Sequence, residues 1–478
     1  MTRAMPNEFP QELHAPAPND GLRRALESLH LNFSLDARAR ADHARDWWPL
    51  SIPLTRRGDV RAWPGAVVHA TSTDDVTATL ALAQRLGRSV TVQGGRSGVL
   101  GGATALEGGI ALDLTAMNQV LEIDEVAGTV RVQAGCFGPD LERALGKVGL
   151  TVGHFPQSFE LATVGGWLAC RGAGQYSNRY GKIEDLVRGL RVVLADGTDV
   201  SLGGRGPRAA TGPDLVQLFV GSEGTLGVIT EATLLARRRA PNERRAAYAF
   251  TSMYDGLEAC RRILQRDAHP AVLRLYDAVE SRRHFEDERC VLIVLDEGDP
   301  LFVDATMSIV AHECRDATAL APALVEHWLE HRNDVGALAP LWEQGMVVDT
   351  IEVAAAWTVL SALCDRVLAT LRAMPDMLVA SVHQSHAYLD GACLYFTFAG
   401  RPASDVEAFY RGAWDATIRA VLEHGGTLSH HHGVGRNRAR FMPDALGSAF
   451  PLLVTLKTML DPHDVLNPGV LGLGGEAW

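Results

Sequence analysis

Residues 156–186 read PQSFELATVGGWLACRGAGQYSNRYGKIEDL, one of three glycine-marked loops between residues 64 and 240. The other two are QGGRSGVLGG at 93–102 and GSEGTLGVITEA at 221–232. Glycines this closely spaced let the backbone approach an anion and let its N–H groups converge on it, because no Cβ stands in the way. The loop at 93–102 is neither G-x-G-x-x-G nor G-x-x-x-x-G-K-[ST], which disfavours a Rossmann site or an NTP-hydrolysing P-loop. Taken alone it reads as readily as a plain glycine-rich turn.

The segments between these loops are short. VVHA at 67–70, the helix STDDVTATLALAQRLG with Thr73 as N-cap, and SVTV at 89–92 form a βαβ unit that delivers the chain to the first loop. IALDL, VLEID and TVRVQ, between Gly109 and Ala134, read as antiparallel strands. PDLERALGKVG reads as a helix, and LRVVLADG as a strand closed by an Asp196-Gly197 turn. From about 241 glycine thins out: AVLRLY, CVLIVLD, LVASVH and CLYFTFAG read as strands and EVAAAWTVLSALCDRVLATLRAM as a helix. Ser404 with Glu407 reads as a capping box opening a helix that buries Phe409, Tyr410, Ala413 and Thr417. Four segments result: a partly helical leader (1–60) with Trp47-Trp48, a loop-bearing α+β unit (61–240), a cap with an antiparallel sheet (241–425), and a C-terminal segment (426–478).

The 478 residues suffice for two or three folded units, and 47% apolar with 21% charged residues is ordinary for a globular chain. The net charge of −12 argues against broad binding to nucleic acid or anionic membrane. Seven scattered cysteines without a C-x-x-C spacing suggest neither a disulfide framework nor a cysteine zinc site, and fit a reducing compartment. With no apolar leader and no run near the roughly 20 residues of a membrane span, the expectation is a cytoplasmic protein without a transmembrane segment. Peripheral membrane contact stays open, and a homodimer is the expected assembly.

The three loops together resemble the FAD-binding domain of the p-cresol methylhydroxylase and vanillyl-alcohol oxidase superfamily. The carriers are the early GG(x)nGG loop, PxS(x)nTVGG and GSEGTLGVIT. The resemblance implies an α+β fold, with a two-subdomain FAD-binding module and an α+β cap built on an antiparallel sheet. It implies FAD contacts at Gly94, Gly95, Arg96, Ser97, Gly98, Val99, Gly101 and Gly102 in the first loop, with the pyrophosphate there. Further contacts are implied at Pro156, Ser158, Thr163, Val164, Gly165 and Gly166, and at Glu223, Gly224, Gly227, Val228 and Ile229. Where members commonly have GGGTS this chain has Gly94-Gly95-Arg96-Ser97-Gly98, and no histidine there offers a flavin linkage, so the FAD is expected to be non-covalent.

Three further stretches, TVGGWLACRGAGQYSNRYGKIEDLV, DGACLYFTF and LSHHHGVGRNR, are similar to the alkylglycerone-phosphate synthase branch. That likeness implies catalytic roles for Tyr395, His431 and His432, with His430 beside them, and for Arg274 in AVLRLYD. It implies substrate contacts at Cys393 and His386. It also implies a redox-neutral reaction in which flavin N5 forms an adduct with the substrate's C1 while a fatty alcohol replaces a fatty acid. Members use a further arginine where this chain has Leu338, and Arg332, six residues earlier, is the substitute for substrate binding.

From the residues alone, HHH at 430–432 admits solvated imidazoles, acid/base catalysis or a metal. Related 2-hydroxyacid dehydrogenases bind a divalent ion with a histidine-rich strand and a GEHG(I/V)G segment. Here His383 and His386 precede Tyr395, but His431 replaces the acid and the H-x-G-D-G-N-x-H strand is absent, so no metal is assigned. The expected function is an FAD-dependent acyl-for-alkoxy exchange on an acyl dihydroxyacetone phosphate or similar small or lipid-like substrate. The alternative is FAD-dependent oxidation of a 2-hydroxy acid or alcohol.

Overall fold

The computed structural model describes residues 9–204, 206–336 and 339–475; Leu338 lies outside them. Two small sheets carry the glycine loops. In the first, Ala66–His69, Ile110–Asp113 and Val90–Gln93 run parallel with Ile110–Asp113 in the middle, and Phe33–Ser34 joins the edge antiparallel. The helix Thr73–Leu86 crosses between the two outer parallel strands. Its N-cap is Ser72 rather than Thr73, because the Ser72 hydroxyl accepts from Asp75 N while the Asp75 carboxylate accepts from Ser72 N. The second sheet is antiparallel throughout, in the order Val120–Asp124, Thr129–Gln133, Val228–Leu235, Val187–Val193, Asp199–Gly203.

The segment IALDL therefore does not join the antiparallel strands that follow it. All four residues of Ile110–Asp113 are buried, as expected of a strand flanked by parallel neighbours and covered on both faces. The leader packs onto this sheet: Leu22 and Leu26, one turn apart on the helix Asp20–Ser28, are buried with Leu80 and Leu112.

The cap is a seven-stranded antiparallel sheet in the order Thr318–Leu320, Asn242–Phe250, Cys290–Gly298, Val272–Tyr276, Met377–Ala387, Gly391–Gly400, Val347–Ala356. Leu394, Phe396 and Phe398 face the helices Trp357–Arg372 and Val406–Glu423, where Leu363, Val367, Trp414 and Ile418 meet them. Alternation along the strand then turns Cys393, Tyr395 and Thr397 to the opposite face.

Two expectations change here. Residues 352–356 are strand, not the start of a helix; a short apolar run suits either, and ten-residue pairing with Gly391–Gly400 decides it. The N-cap of Val406–Glu423 is Asp405, whose carboxylate accepts from Ala408 N at 2.9 Å, while Glu407 is drawn outward by Arg61 and Arg411.

The leader and the chain end both tie the parts together. Trp48 Nε1 donates to Tyr410 Oη at 2.9 Å, and Tyr410 donates to Asp349 Oδ2 at 2.6 Å. Asn467 Oδ1 accepts from Val92 N at 2.9 Å and its Nδ2 donates to Glu223 O at 2.6 Å. The seven cysteines are free, and no helix among the described residues is long and apolar enough to cross a membrane.

Candidate functional site

A cavity of about 630 Å³ lies between the glycine loops and the open face of the cap sheet. Gly94, Gly95, Arg96, Ser97, Gly98, Val99 and Gly102 line it, as do Pro156, Ser158, Thr163, Gly165, Gly166, Glu223, Gly224, Gly227 and Ile229. Gly101, Val164 and Val228 do not. Val164, which opens the helix Val164–Cys170, and Val228, which opens the strand Val228–Leu235, are fully buried, and Gly101, at φ +77°, lies against the Trp48 ring.

The first two loops interlock, since a Cβ on Gly95 would lie 1.7 Å from Leu161 O and one on Gly94 2.2 Å from Thr163 Oγ1. The amides of Gly94 to Val99 donate to no backbone carbonyl among the described residues, and the buried Nε of Arg96 has no partner there. A row of free N–H groups beside a buried guanidinium is the donor set a pyrophosphate requires, so these residues fit FAD.

On the cap side, strand register sets one row of side chains: Glu352 is opposite Tyr395, Tyr395 opposite His383, and His383 opposite Tyr276. A bulge between Gln384 and His386 also turns His386 to the cavity face. Thr427 pairs with Ala354 at the sheet edge, and the histidine tract follows. Buried Glu352 accepts from the amides of His430, His431 and His432, from Ser429 Oγ, and from Arg438 Nη1 at 2.8 Å. Burial would raise its carboxyl, but Arg438, His432 and His430 hold it down, to about 2. From the other side Glu223 accepts from the amides of Val434 (2.6 Å) and Gly435 (2.8 Å); burial pushes its carboxyl up to about 7. The tract is thus threaded between the buried carboxylate of Glu352 and the half-buried carboxyl of Glu223, which lines the cavity.

This placement sets His431 Nε2 2.6 Å and His432 Nε2 3.3 Å from Tyr395 Oη, and all three residues line the cavity. Burial, reinforced for His431 by its neighbouring histidines, lowers both imidazoles, His432 to about 4, so they are neutral near pH 7. His430 and Cys393 do not line the cavity. His430 turns to Tyr388, because its amide and the tight path over Glu352 aim it away, and Cys393 is fully buried behind the wall, its thiol raised by burial. Glu352, Cys393, His430 and His431 approach one another closely enough to suggest a metal group. The Glu352 oxygens, however, are already taken up by five donors.

Arg274 Nη2 donates to His383 Nε2 at 2.6 Å, and His383 Nδ1 donates to Glu280 Oε2 at 2.8 Å. The other Glu280 oxygen accepts from Ser381 and Thr397. Arg274 and Arg332 flank Trp328, their guanidinium carbons 5.8 and 5.6 Å from its ring, and Arg274 Nε and Arg332 Nη1 are buried without partners among the described residues. Two cations with free N–H groups on one wall suit an anionic substrate. Sequence reasoning did not single out Glu280, Glu352, Tyr388 or Ser177. Only Glu352 left a signal, as an acid in an otherwise apolar run.

Comparison with known proteins covers both parts of the chain that meet at this cavity. A family described as FAD binding domain matches residues 64–203, and one described as FAD linked oxidases, C-terminal domain, matches residues 239–471. The chain is 33% identical over 433 residues to an uncharacterized FAD-linked oxidoreductase, YgcU, of Escherichia coli O157:H7, spanning 85% of this chain and 89% of the relative. It is 29% identical over 505 residues to the alkyldihydroxyacetonephosphate synthase of Trypanosoma brucei brucei (95% and 80%). It is 28% identical over 431 residues to glycolate oxidase subunit GlcD of Bacillus subtilis (86% and 89%). A solved alkyldihydroxyacetonephosphate synthase superposes with a TM-score of 0.81 at 26% identity, over 98% of this chain and 90% of that one. A p-cresol methylhydroxylase with substrate bound shares the fold at TM-score 0.77 and 14% identity, over 98% and 99%.

Proposed function

The chain belongs to the FAD-linked oxidases, a family of FAD-binding enzymes, and from that premise we propose that it exchanges one oxygen substituent for another without net oxidation. The substrate of this reading is an acyl dihydroxyacetone phosphate or a similar anionic ester, whose acyloxy group gives way to the alkoxy group of a fatty alcohol. The observation that carries it is the Tyr395 hydroxyl set between His431 and His432 on one cavity wall, with Arg274 and Arg332 lining the same cavity. FAD, when bound, supplies an electron sink for the carbon being changed.

The chain's own residues then supply position and protons. Arg274, held by His383 and Glu280, and Arg332 bind the anionic end. Tyr395 exchanges a proton with the reacting carbon, and neutral His431 takes up or returns that proton through a 2.6 Å contact. The exchange needs an acid when the carboxylate leaves and a base when the alcohol arrives, and imidazole serves as both.

A second reading, oxidation of a 2-hydroxy acid, draws support from the similarity to a glycolate oxidase subunit and from Leu338 standing where the synthase branch has arginine. Holoenzyme incubated without oxygen with palmitoyl dihydroxyacetone phosphate and deuterated hexadecanol separates the two. Deuterated alkyl product with no reduction of added dichlorophenolindophenol is the expected result. Dye reduction with D-lactate, and no alkyl product, would favour oxidation.

A further inference from the structure

The contacts of the histidine tract continue beyond the cavity wall and come back to it. His431 Nδ1 lies 2.8 Å from His430 Nδ1, and His430 Nε2 lies 3.0 Å from Tyr388 Oη. Tyr388 Oη is 3.1 Å from Ser177 Oγ, which is 2.8 Å from His386 Nδ1. With Tyr395 Oη 2.6 Å from His431 Nε2, six residues form an unbroken line of hydrogen-bonding atoms, every link within ordinary length. Tyr395, His431 and His386 line the same cavity; the links that join His431 to His386, namely His430, Tyr388 and Ser177, do not. We propose that this line is a proton relay, with Tyr388 and Ser177 as its connecting residues, that moves a proton between two points of one bound substrate.

Hydrogen counting supports the assignment. In one sense Tyr395 donates to His431 Nε2, His431 Nδ1–H to His430 Nδ1, His430 Nε2–H to Tyr388, Tyr388 to Ser177, and Ser177 to His386 Nδ1. That arrangement leaves His386 Nε2–H facing the cavity. Reversing every donor satisfies the same contacts and leaves a lone pair on His386 Nε2. Passing from the first state to the second takes in one proton at Tyr395 and gives out one at His386, with none created or lost. A relay needs neutral rings that donate on one side and accept on the other. Burial lowers His430 to about 3 and, with neighbouring cations, His386 and His431 well below the ordinary imidazole value.

The frame is held on both sides. Asn178 Oδ1 accepts from Ala387 N at 3.2 Å, which fixes Ser177 against the end of the His386 strand. Lys182 Nζ donates to His430 O at 2.7 Å, and the His386 and His430 rings stack 5.1 Å apart.

The relay rests on the exchange reading, and its two states match the two halves of that reaction. When the acid leaves, the reacting carbon gives a proton to Tyr395 and the leaving carboxylate takes one from His386. When the alcohol arrives, His386 takes its hydroxyl proton and Tyr395 returns one to the carbon. The ester and alcohol become ether and acid, the relay is reset, and no outside oxidant or buffer is required. An oxidation would push protons one way only.

The test uses holoenzyme with palmitoyl dihydroxyacetone phosphate and hexadecanol, comparing wild type with Tyr388→Phe and Ser177→Ala. The relay predicts at least a tenfold loss of kcat with KM and FAD content unchanged. In H2O/D2O mixtures the wild-type kcat should fall along a curved line, from several protons in flight, and each variant along a straight one. Ser177→Thr, which keeps the hydroxyl, should recover most of the rate. Wild-type exchange with unchanged kcat and curvature in Tyr388→Phe and Ser177→Ala overturns the relay while leaving the exchange reading intact. A wild type that exchanges no alcohol removes the exchange reading, and the relay falls with it.

Discussion

Glu352 and Tyr395 stand opposite each other on neighbouring strands of the cap sheet. The carboxylate collects three consecutive histidine amides and Arg438, and by doing so lays His431 and His432 over the phenol. One buried acid thus builds the site without touching the cavity's contents.

Tyr395→Phe keeps the ring and removes the hydroxyl that contacts both imidazoles. Steady-state exchange should fall by about 10²- to 10⁴-fold, the usual span for a lost acid–base group. The visible flavin spectrum of the purified variant should match wild type. A loss of less than threefold would place the proton chemistry elsewhere.

Glu352→Gln leaves Arg438 buried and unpaired and withdraws acceptors from the tract. Breaking a buried pair this way costs roughly 3–5 kcal/mol, so the urea midpoint should drop clearly, or the protein should fail to accumulate. An unchanged midpoint would contradict the structural role given to this acid.

Glu280→Gln loosens His383 and, through it, Arg274. Losing a charge-assisted hydrogen bond is worth about 1.5–3 kcal/mol, which predicts a roughly tenfold or greater rise in KM for the anionic substrate with a smaller change in kcat. Equal loss in both constants would move Arg274 from binding to chemistry.

Glu223 carries the pH dependence. Its folded carboxyl is raised to about 7, against about 4.3 in an unfolded chain. The folded state therefore holds the proton more tightly. That stabilisation is complete below the unfolded value and is lost as pH rises through about 7. Asp46 and Asp349, each raised to about 6 by burial, act in the same direction. Buried His430, His431 and His432, held below the ordinary imidazole value, act in the opposite direction over the same range, so the readout is a difference: the Tm of flavin-free wild type relative to that of Glu223→Gln should decrease between pH 5 and 7.5. Parallel curves for the two proteins would remove Glu223 from this account.

Gly95→Ala places a methyl 1.7 Å from Leu161 O, and backbone cannot yield as a side-chain tip would. The variant should purify with little or no FAD, measured as flavin released per chain. Full flavin content would show that the two loops are not interlocked as described.

Much of this was legible in the sequence because it is written locally. Glycine loops, the Tyr395 strand and the HHH tract are continuous stretches, and their residues carry their own chemistry. What escaped was set by partners distant in the chain. Residues 352–356 suit helix or strand until the pairing with Gly391–Gly400 is known. Asp405 takes the cap from Ser404 through its own bond to Ala408 N, while Glu407 is drawn to Arg61, 346 residues away in sequence. The near-continuous apolar run of Ile110–Asp113 carried the signal of a parallel strand, but the alternating segments that follow it drew it into their antiparallel reading. Tyr388 has no motif of its own and Ser177 is one unmarked hydroxyl within the 156–186 stretch; they acquire a role only because a strand end meets a short helix 211 residues earlier in the chain.

The exchange claim is tested most directly by stoichiometry in one vessel: anaerobic holoenzyme, palmitoyl dihydroxyacetone phosphate, deuterated hexadecanol and dichlorophenolindophenol together. The account predicts one deuterated ether and one palmitate for each ester consumed, with the dye unreduced. One dye reduced per substrate consumed, and no deuterated ether, would contradict it.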